Sequence, residues 1–213
     1  MKCILEVVVL FSVSRSRRAA VRLWPKDSDG LVYVPFTFRT FSPELMGRFF
    51  AATKQLREST CIRFKTRVLF NFDYVEIIES DSCSSSLGLL GGRQLLSLGP
   101  VSPSSPSDCG GLGASQRELL HTLGFSYETQ RADHGPEPLA KIKVLDQKDP
   151  PNTASESSAY DYSSVMHFSS WAFSKNGQRT LQATRGDPQL GSDHMTDADV
   201  KRVNQLYCPQ WNI

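Results

Sequence analysis

The 213-residue sequence holds no apolar run approaching the ~18 residues a membrane-spanning helix needs. It has no C-x-x-C pair, so neither a zinc ribbon nor a dithiol redox motif is indicated. No stretch repeats another. Charge of one sign is not in excess either. Lys and Arg total 24 against 22 Asp and Glu, a net of +2, which does not point to a nucleic-acid partner. Histidine is scarce, with only His121, His134, His167 and His194. What remains suits a globular chain: 39% of the residues are hydrophobic, which argues against disorder. The length fits one domain, or one domain with two lobes around a cleft.

The first residues read as a weak signal segment. Lys2 precedes a mostly apolar stretch, residues 4–13, interrupted by Glu6. The same run is also what a buried strand looks like. Arg15-Ser16-Arg17-Arg18 is a dibasic R-x-R-R sequence of the kind cut in the secretory pathway, which would make Ala19 a new terminus. A solvated basic patch has the same composition. Residues 1–18 are therefore expected to be a weak signal or remnant pro-segment, and 19–213 the domain of an extracellular protein. The cysteines agree with secretion. Cys3 lies in the leader; Cys61, Cys83, Cys109 and Cys208 are even in number and widely spaced, as in a two-disulfide domain. Four cysteines allow three pairings, and the residues alone do not choose.

Along the chain, Val32 to Phe38 alternates as a strand, and Pro35 places it at an edge or a strand start. Ser42-Pro43-Glu44 is a helix start: Ser as N-cap, Pro in the first turn, an acid beside it. Leu45, Phe49, Ala52 and Leu56 follow as an apolar stripe at helical spacing. Tyr74 to Ile78 reads as a strand, and Leu95, Leu96 and Leu98 suggest another. Residues 100–113, rich in Ser, Pro and Gly, read as loop. A short helix follows at about 115–123 and is ended by Gly124. Residues 134–158 read as irregular. A last helix starts at Thr196, with Asp197 and Asp199 in its first turn and Val200, Val203 and Leu206 as its stripe. Strands early, then loops and a final helix, make the class α+β.

The informative stretch is Arg117-Glu118-Leu119-Leu120-His121-Thr122-Leu123-Gly124-Phe125-Ser126-Tyr127-Glu128, which overlays the pattern H-E-x-x-H-x-x-G-x-x-H. The spacing has a physical basis. Positions 117 and 121 share one helix face and can share one ion. A glycine at 124 allows a sharp turn, which swings position 127 back as a third ligand. The glutamate at 118 stands beside the ion as general base.

The surroundings carry a resemblance. Trp24-Pro25, Val34-Pro35-Phe36 and Thr60-Cys61-Ile62-Arg63-Phe64 resemble the N-terminal lobe of the astacin family of metzincin zinc endopeptidases, which includes hatching-enzyme and tolloid-like catalytic domains. Cys83-Ser84-Ser85-Ser86-Leu87-Gly88, Gly91-Gly92-Arg93-Gln94 and Leu96-Ser97-Leu98 resemble its cleft edge. Arg131-Ala132-Asp133 follows the motif as in the family. Tyr160-Asp161-Tyr162-Ser163-Ser164-Val165-Met166-His167-Phe168 resembles its Met-turn. Phe173-Ser174, Asn176-Gly177 and Leu206-Tyr207-Cys208 also fit. The resemblance implies a two-lobed domain, with a twisted sheet and helices in the first lobe and a mostly irregular second lobe ending in a helix. It implies zinc as cofactor and a protein or peptide as the cleft's occupant; it says nothing of the oligomeric state. It further implies disulfides Cys61–Cys208 and Cys83–Cys109, and a Glu128 that receives the ammonium of Ala19.

The departures fall on the chemistry. Arg117 and Tyr127 replace two ligand histidines, and Phe168 replaces the family's tyrosine after Met166-His167. Only His121 survives among the ligands, with Glu118 as a vestigial base. His134 replaces an arginine, and no F-x-G-D sequence precedes Arg15. A structural zinc site contributes roughly 10–16 kcal/mol, or about 3–4 per ligand over four. Two losses weaken binding roughly 10⁴–10⁶-fold. At 4 Å and an effective dielectric of 20, a guanidinium facing a dication adds up to about 8 kcal/mol. His134, His167 and His194 read as surface or hydrogen-bonded residues rather than replacements. The expectation is an inactive secreted pseudoprotease with zinc absent or weakly bound. The alternatives are an active zinc endopeptidase working through Glu118, and the product of a decaying gene.

Overall fold

The computed structural model describes residues 21–99, 109–128, 160–172, 174, 177–183 and 186–211. The candidate leader, Ala19, the stretch 131–134 and the segment 135–158 lie outside the described residues. Five strands form one mixed sheet: β1 (Val32–Phe38), β2 (Ile62–Thr66), β3 (Tyr74–Glu79), β4 (Ser84–Ser85) and β5 (Arg93–Leu98). Their order is β2-β1-β3-β5-β4, and only β4 runs antiparallel to its neighbour. Among the described residues, helices α1 (Pro43–Ser59), α2 (Leu112–Thr122) and α3 (Asp197–Tyr207) complete the regular structure, with a 3-10 turn at Pro209–Trp211. The class is α+β.

Helix α1 begins where its caps dictate. The Ser42 hydroxyl accepts from Leu45 N, Pro43 needs no partner for a missing N–H, and Glu44 sits at the positive end of the dipole. Leu45, Phe49, Ala52 and Leu56 are all fully buried. They pack on the sheet face made by Val32, Val34, Phe36, Val75, Ile77, Leu96 and Leu98. Each of these Leu, Val, Ile and Phe side chains contributes about 1.5–3 kcal/mol by leaving water. Phe49 anchors this layer, with ring centroids 4.7 Å from Phe36, 5.5 Å from Phe38 and 5.6 Å from Phe64.

The structure corrects three expectations. β1 is internal, not an edge. Its registers explain why Pro35 is tolerated: pairing with β3 begins only at Phe36↔Val75, so no β3 carbonyl waits for the missing N–H. Helix α2 starts at Leu112, inside the stretch read as loop, with Gly111 at its N-cap and no side-chain cap to announce it. In α3 the stripe is narrower than the pattern implied. Val203 is buried, Val200 and Leu206 are only partly so, and Asp199, Arg202 and Tyr207 are buried instead.

The disulfides are Cys61–Cys208 and Cys83–Cys109, with Cα–Cα distances of 5.6 and 5.5 Å. The first ties the start of β2 to the end of α3. The second ties the segment before β4 to the start of α2. Together they place α2 beside the sheet edge that forms one wall of the cleft.

Candidate active site

The end of α2 is fixed by a complete set of partners for its last carbonyls. Gly124, at φ 96°, donates to His121 O at 2.9 Å, and Phe125 N donates to Leu120 O at 3.0 Å, a Schellman closure. Gly88 N also reaches His121 O. Trp24 Nε1 donates to Thr122 O at 3.0 Å, and Tyr207 OH donates to Leu123 O at 2.6 Å. No carbonyl of this turn is left waiting, so the chain reverses on a defined path. The reversal brings Tyr127 back over the helix.

Tyr127 stacks on His121 with ring centroids 5.1 Å apart and planes 13° from parallel. Phe168 lies 5.2 Å from Tyr127 on its other side. Arg117, one turn before His121, is half-buried. Its Nε donates to Val165 O at 2.8 Å, and its guanidinium carbon sits 5.6 Å from the Phe168 ring centre. Positions 117, 121, 127 and 168 therefore do converge, and they meet through a backbone hydrogen bond, ring stacking and a cation–π contact.

Glu118 is 4% exposed. Burial pushes its carboxyl above the ordinary range, against opposition from the Ser85 hydroxyl, the neighbouring His121 and Arg117, and a hydrogen bond from Tyr127. Ser85 Oγ donates to Glu118 Oε2 at 2.7 Å and lies 3.2 Å from His121 Nδ1, which also faces Ser85 O at 3.1 Å. Ser85 thus bridges the two surviving motif residues from strand β4. Its role was not read from the sequence, although it stands within the C-S-S-S-L-G segment.

The floor of the site is held by buried charge. Glu128 N donates to Met166 O at 2.9 Å. The Glu128 carboxylate is 1% exposed, and Arg202 approaches it at 3.0 and 3.3 Å, while Asp161 N donates to Oε1 at 2.9 Å. Asp199 Oδ1 accepts from Ser164 Oγ at 2.6 Å, and Oδ2 accepts from Val165 N and Thr196 N, each at 3.0 Å. The acid that signalled a helix start is therefore also the anchor of the loop carrying Met166. Arg202 gave no signal in the sequence, because its partner lies 74 residues away.

The cleft above this floor encloses about 1050 Å³ and is lined by Ser82, Ala114, Arg117, Glu118, Tyr127, Phe168, Trp171 and Arg179, among others. As metal donors, its residues are few. Guanidinium and phenyl groups have no lone pair for a cation, and a phenol ligates only when ionised. Among the described residues no three His, Cys, Asp or Glu come together to hold an ion. Among the described residues the donor set falls short of the three protein ligands a catalytic zinc takes.

Comparison with known proteins places this geometry. The family model for the astacin peptidases matches residues 17–208. Embryonic protein UVS.2 of Xenopus laevis is 29% identical over 92% of the chain, and zinc metalloproteinase nas-13 of Caenorhabditis elegans is 31% identical over 83%. The chain spans only 39% and 40% of the lengths of those two relatives. The solved structure of high choriolytic enzyme 1, a hatching-enzyme zinc protease from Oryzias latipes, superposes with a TM-score of 0.70 at 27% identity, covering 87% of this chain and 94% of that one. The fold is thus the two-lobed metzincin type, and the chain belongs to the astacin family of metalloendopeptidases.

Proposed function

We propose that this chain is a catalytically inactive, secreted member of the family, a pseudoprotease whose cleft persists without a working metal centre. The observation that carries this reading is the bond from Arg117 Nε to Val165 O at 2.8 Å. It seats a permanent cation in the place of a ligand and gives it a structural partner. Tyr127 is likewise engaged, between His121 and Phe168 and on Glu118. Glu118 then serves as a buried acceptor for Ser85 and Tyr127, with no metal-bound water to activate. Two disulfides support an oxidising compartment. The occupant proposed for the cleft is an extended peptide or protein segment.

The test is metal analysis of the purified protein alongside cleavage of casein and gelatin. Substoichiometric zinc and no cleavage are expected. Zinc near one per chain with chelator-sensitive cleavage would overturn the reading. Arg117→His combined with Tyr127→His is expected to restore metal binding, and any activity so gained should vanish on adding Glu118→Gln.

A further inference from the structure

The segment between β2 and β3 has no part in the cleft, since none of residues 67–73 lines it. Phe36 of β1 pairs with Thr66 at the end of β2 and with Val75 at the start of β3. Residues 67–73 must therefore cross over β1, on the sheet face away from α1. They do so as a pinned finger. Asn71 N donates to Val68 O at 2.9 Å, Val68 N donates to Asn71 Oδ1 at 2.9 Å, and Arg67 Nε donates to Asn71 O at 3.2 Å. The turn these bonds hold presents Val68, Leu69, Phe70 and Phe72 to solvent at 59, 83, 80 and 80% exposure. Scattered apolar residues on a surface need no explanation, but four within five residues at the tip of a braced turn do.

We propose that this finger is an interfacial membrane anchor, which inserts Leu69, Phe70 and Phe72 at the boundary between headgroups and acyl chains of a phospholipid bilayer. Two features favour a bilayer over a second copy or another protein. The first is area: the four side chains offer roughly 500–600 Å², short of the roughly 800 Å² per partner that a stable protein interface buries. A bilayer needs no complementary surface, and a projecting apolar turn enters it without one. The second is the flanking chemistry. Lys65 and Arg67 precede the finger and lie over aromatic rings, Lys65 Nζ 4.0 Å from the centre of Tyr33 and Arg67 3.7 Å from that of Tyr74. Such cations at the base of an apolar tip suit the headgroup layer. Charge beside the finger is balanced: the groove that Phe70 and Phe72 border is lined by Lys26 and Lys65 and by Asp27 and Asp73. Insertion of apolar groups, rather than attraction to anionic lipid, is therefore the driving interaction.

The test is co-sedimentation of the full chain with phosphatidylcholine vesicles at low and high salt. The unmodified protein should partition onto the vesicles with little dependence on salt. Leu69→Ser with Phe70→Ser should lower the partition coefficient at least about tenfold, with an unchanged circular dichroism spectrum. Phe70→Trp should retain binding and add blue-shifted emission when vesicles are present. No partition by the unmodified protein, or none lost in the double serine variant, would overturn the proposal. So would partition confined to anionic vesicles and abolished by salt. A monomer–dimer equilibrium abolished by the same double variant would instead assign the finger to self-association and equally overturn it.

Discussion

Replacing Arg202 with Met tests how the floor of the site is held. Met fills much of the stem's volume but removes the charge from a pair in which both side chains are at most 7% exposed. The Glu128 carboxylate would keep Asp161 N as a donor and lose two contacts, at 3.0 and 3.3 Å. Asp199, 3.8 Å from the same guanidinium, keeps its bonds from Ser164, Val165 and Thr196 and is affected less. Breaking a buried pair from one side costs about 3–5 kcal/mol, which at this size lowers Tm by roughly 6–20 °C. Denaturant melts of Arg202→Met, Glu128→Gln and the double variant give the coupling between the two side chains. A loss below about 1 kcal/mol in Arg202→Met, or losses that simply add in the double variant, would refute the assignment of a buried, mutually dependent pair.

The other predictions concern the covalent frame and the turn. Removing Cys61–Cys208, which spans a sequence separation of 147, should cost about 5 kcal/mol, and removing Cys83–Cys109, spanning 26, about 3.5 kcal/mol on the chain-entropy model. Paired alanine variants measured by denaturant unfolding check the order, and an inverted order would point to native-state strain instead. Gly124→Ala should destabilise by at least about 1–2 kcal/mol, because φ is 96° and the new Cβ would lie 3.1 Å from side-chain atoms of Leu23 and Val21. A neutral result in the same assay would mean the Schellman turn relaxes.

What the sequence made legible follows the range of the interactions involved. α1 was readable because its signals are local: a cap, a proline and a four-residue stripe lie within fifteen positions. The start of α3 was readable for the same reason, with Thr196 and Asp199 forming a reciprocal capping box. α2 started early because glycine stands where a capping side chain would. β2 escaped notice as a strand although Ile62 and Phe64 alternate with Arg63 and Lys65, since five residues are a short run in which to see a period of two. β4, with two residues, carries no period at all. At the site, the helix, the turn and the convergence of 117, 121 and 127 were implied by spacing, and the place of 168 by the resemblance. The groups that fix them were not. Ser85, partly buried, and Arg202, buried, bond to partners 33 and 74 positions away, and no local pattern encodes such a pairing.

That division bears on how a site of this kind can lose its ligands and keep its shape. If the metal were the chief link between α2, the turn and the 160–168 loop, replacing ligands would set those pieces adrift. Each has another tether. The end of α2 is closed by Gly124 and Phe125 and held by Trp24 and Tyr207. The loop is held by Asp199 from α3 and by Glu128 N on Met166 O. The substituted residues then add links of their own: Arg117 binds the carbonyl of Val165 in that loop, and Tyr127 joins His121 to Phe168 across the site. The frame is independent of the ion, and the replacements at 117 and 127 reinforce that independence. A cleft held in this way keeps its shape as a binding surface whether or not an ion is bound.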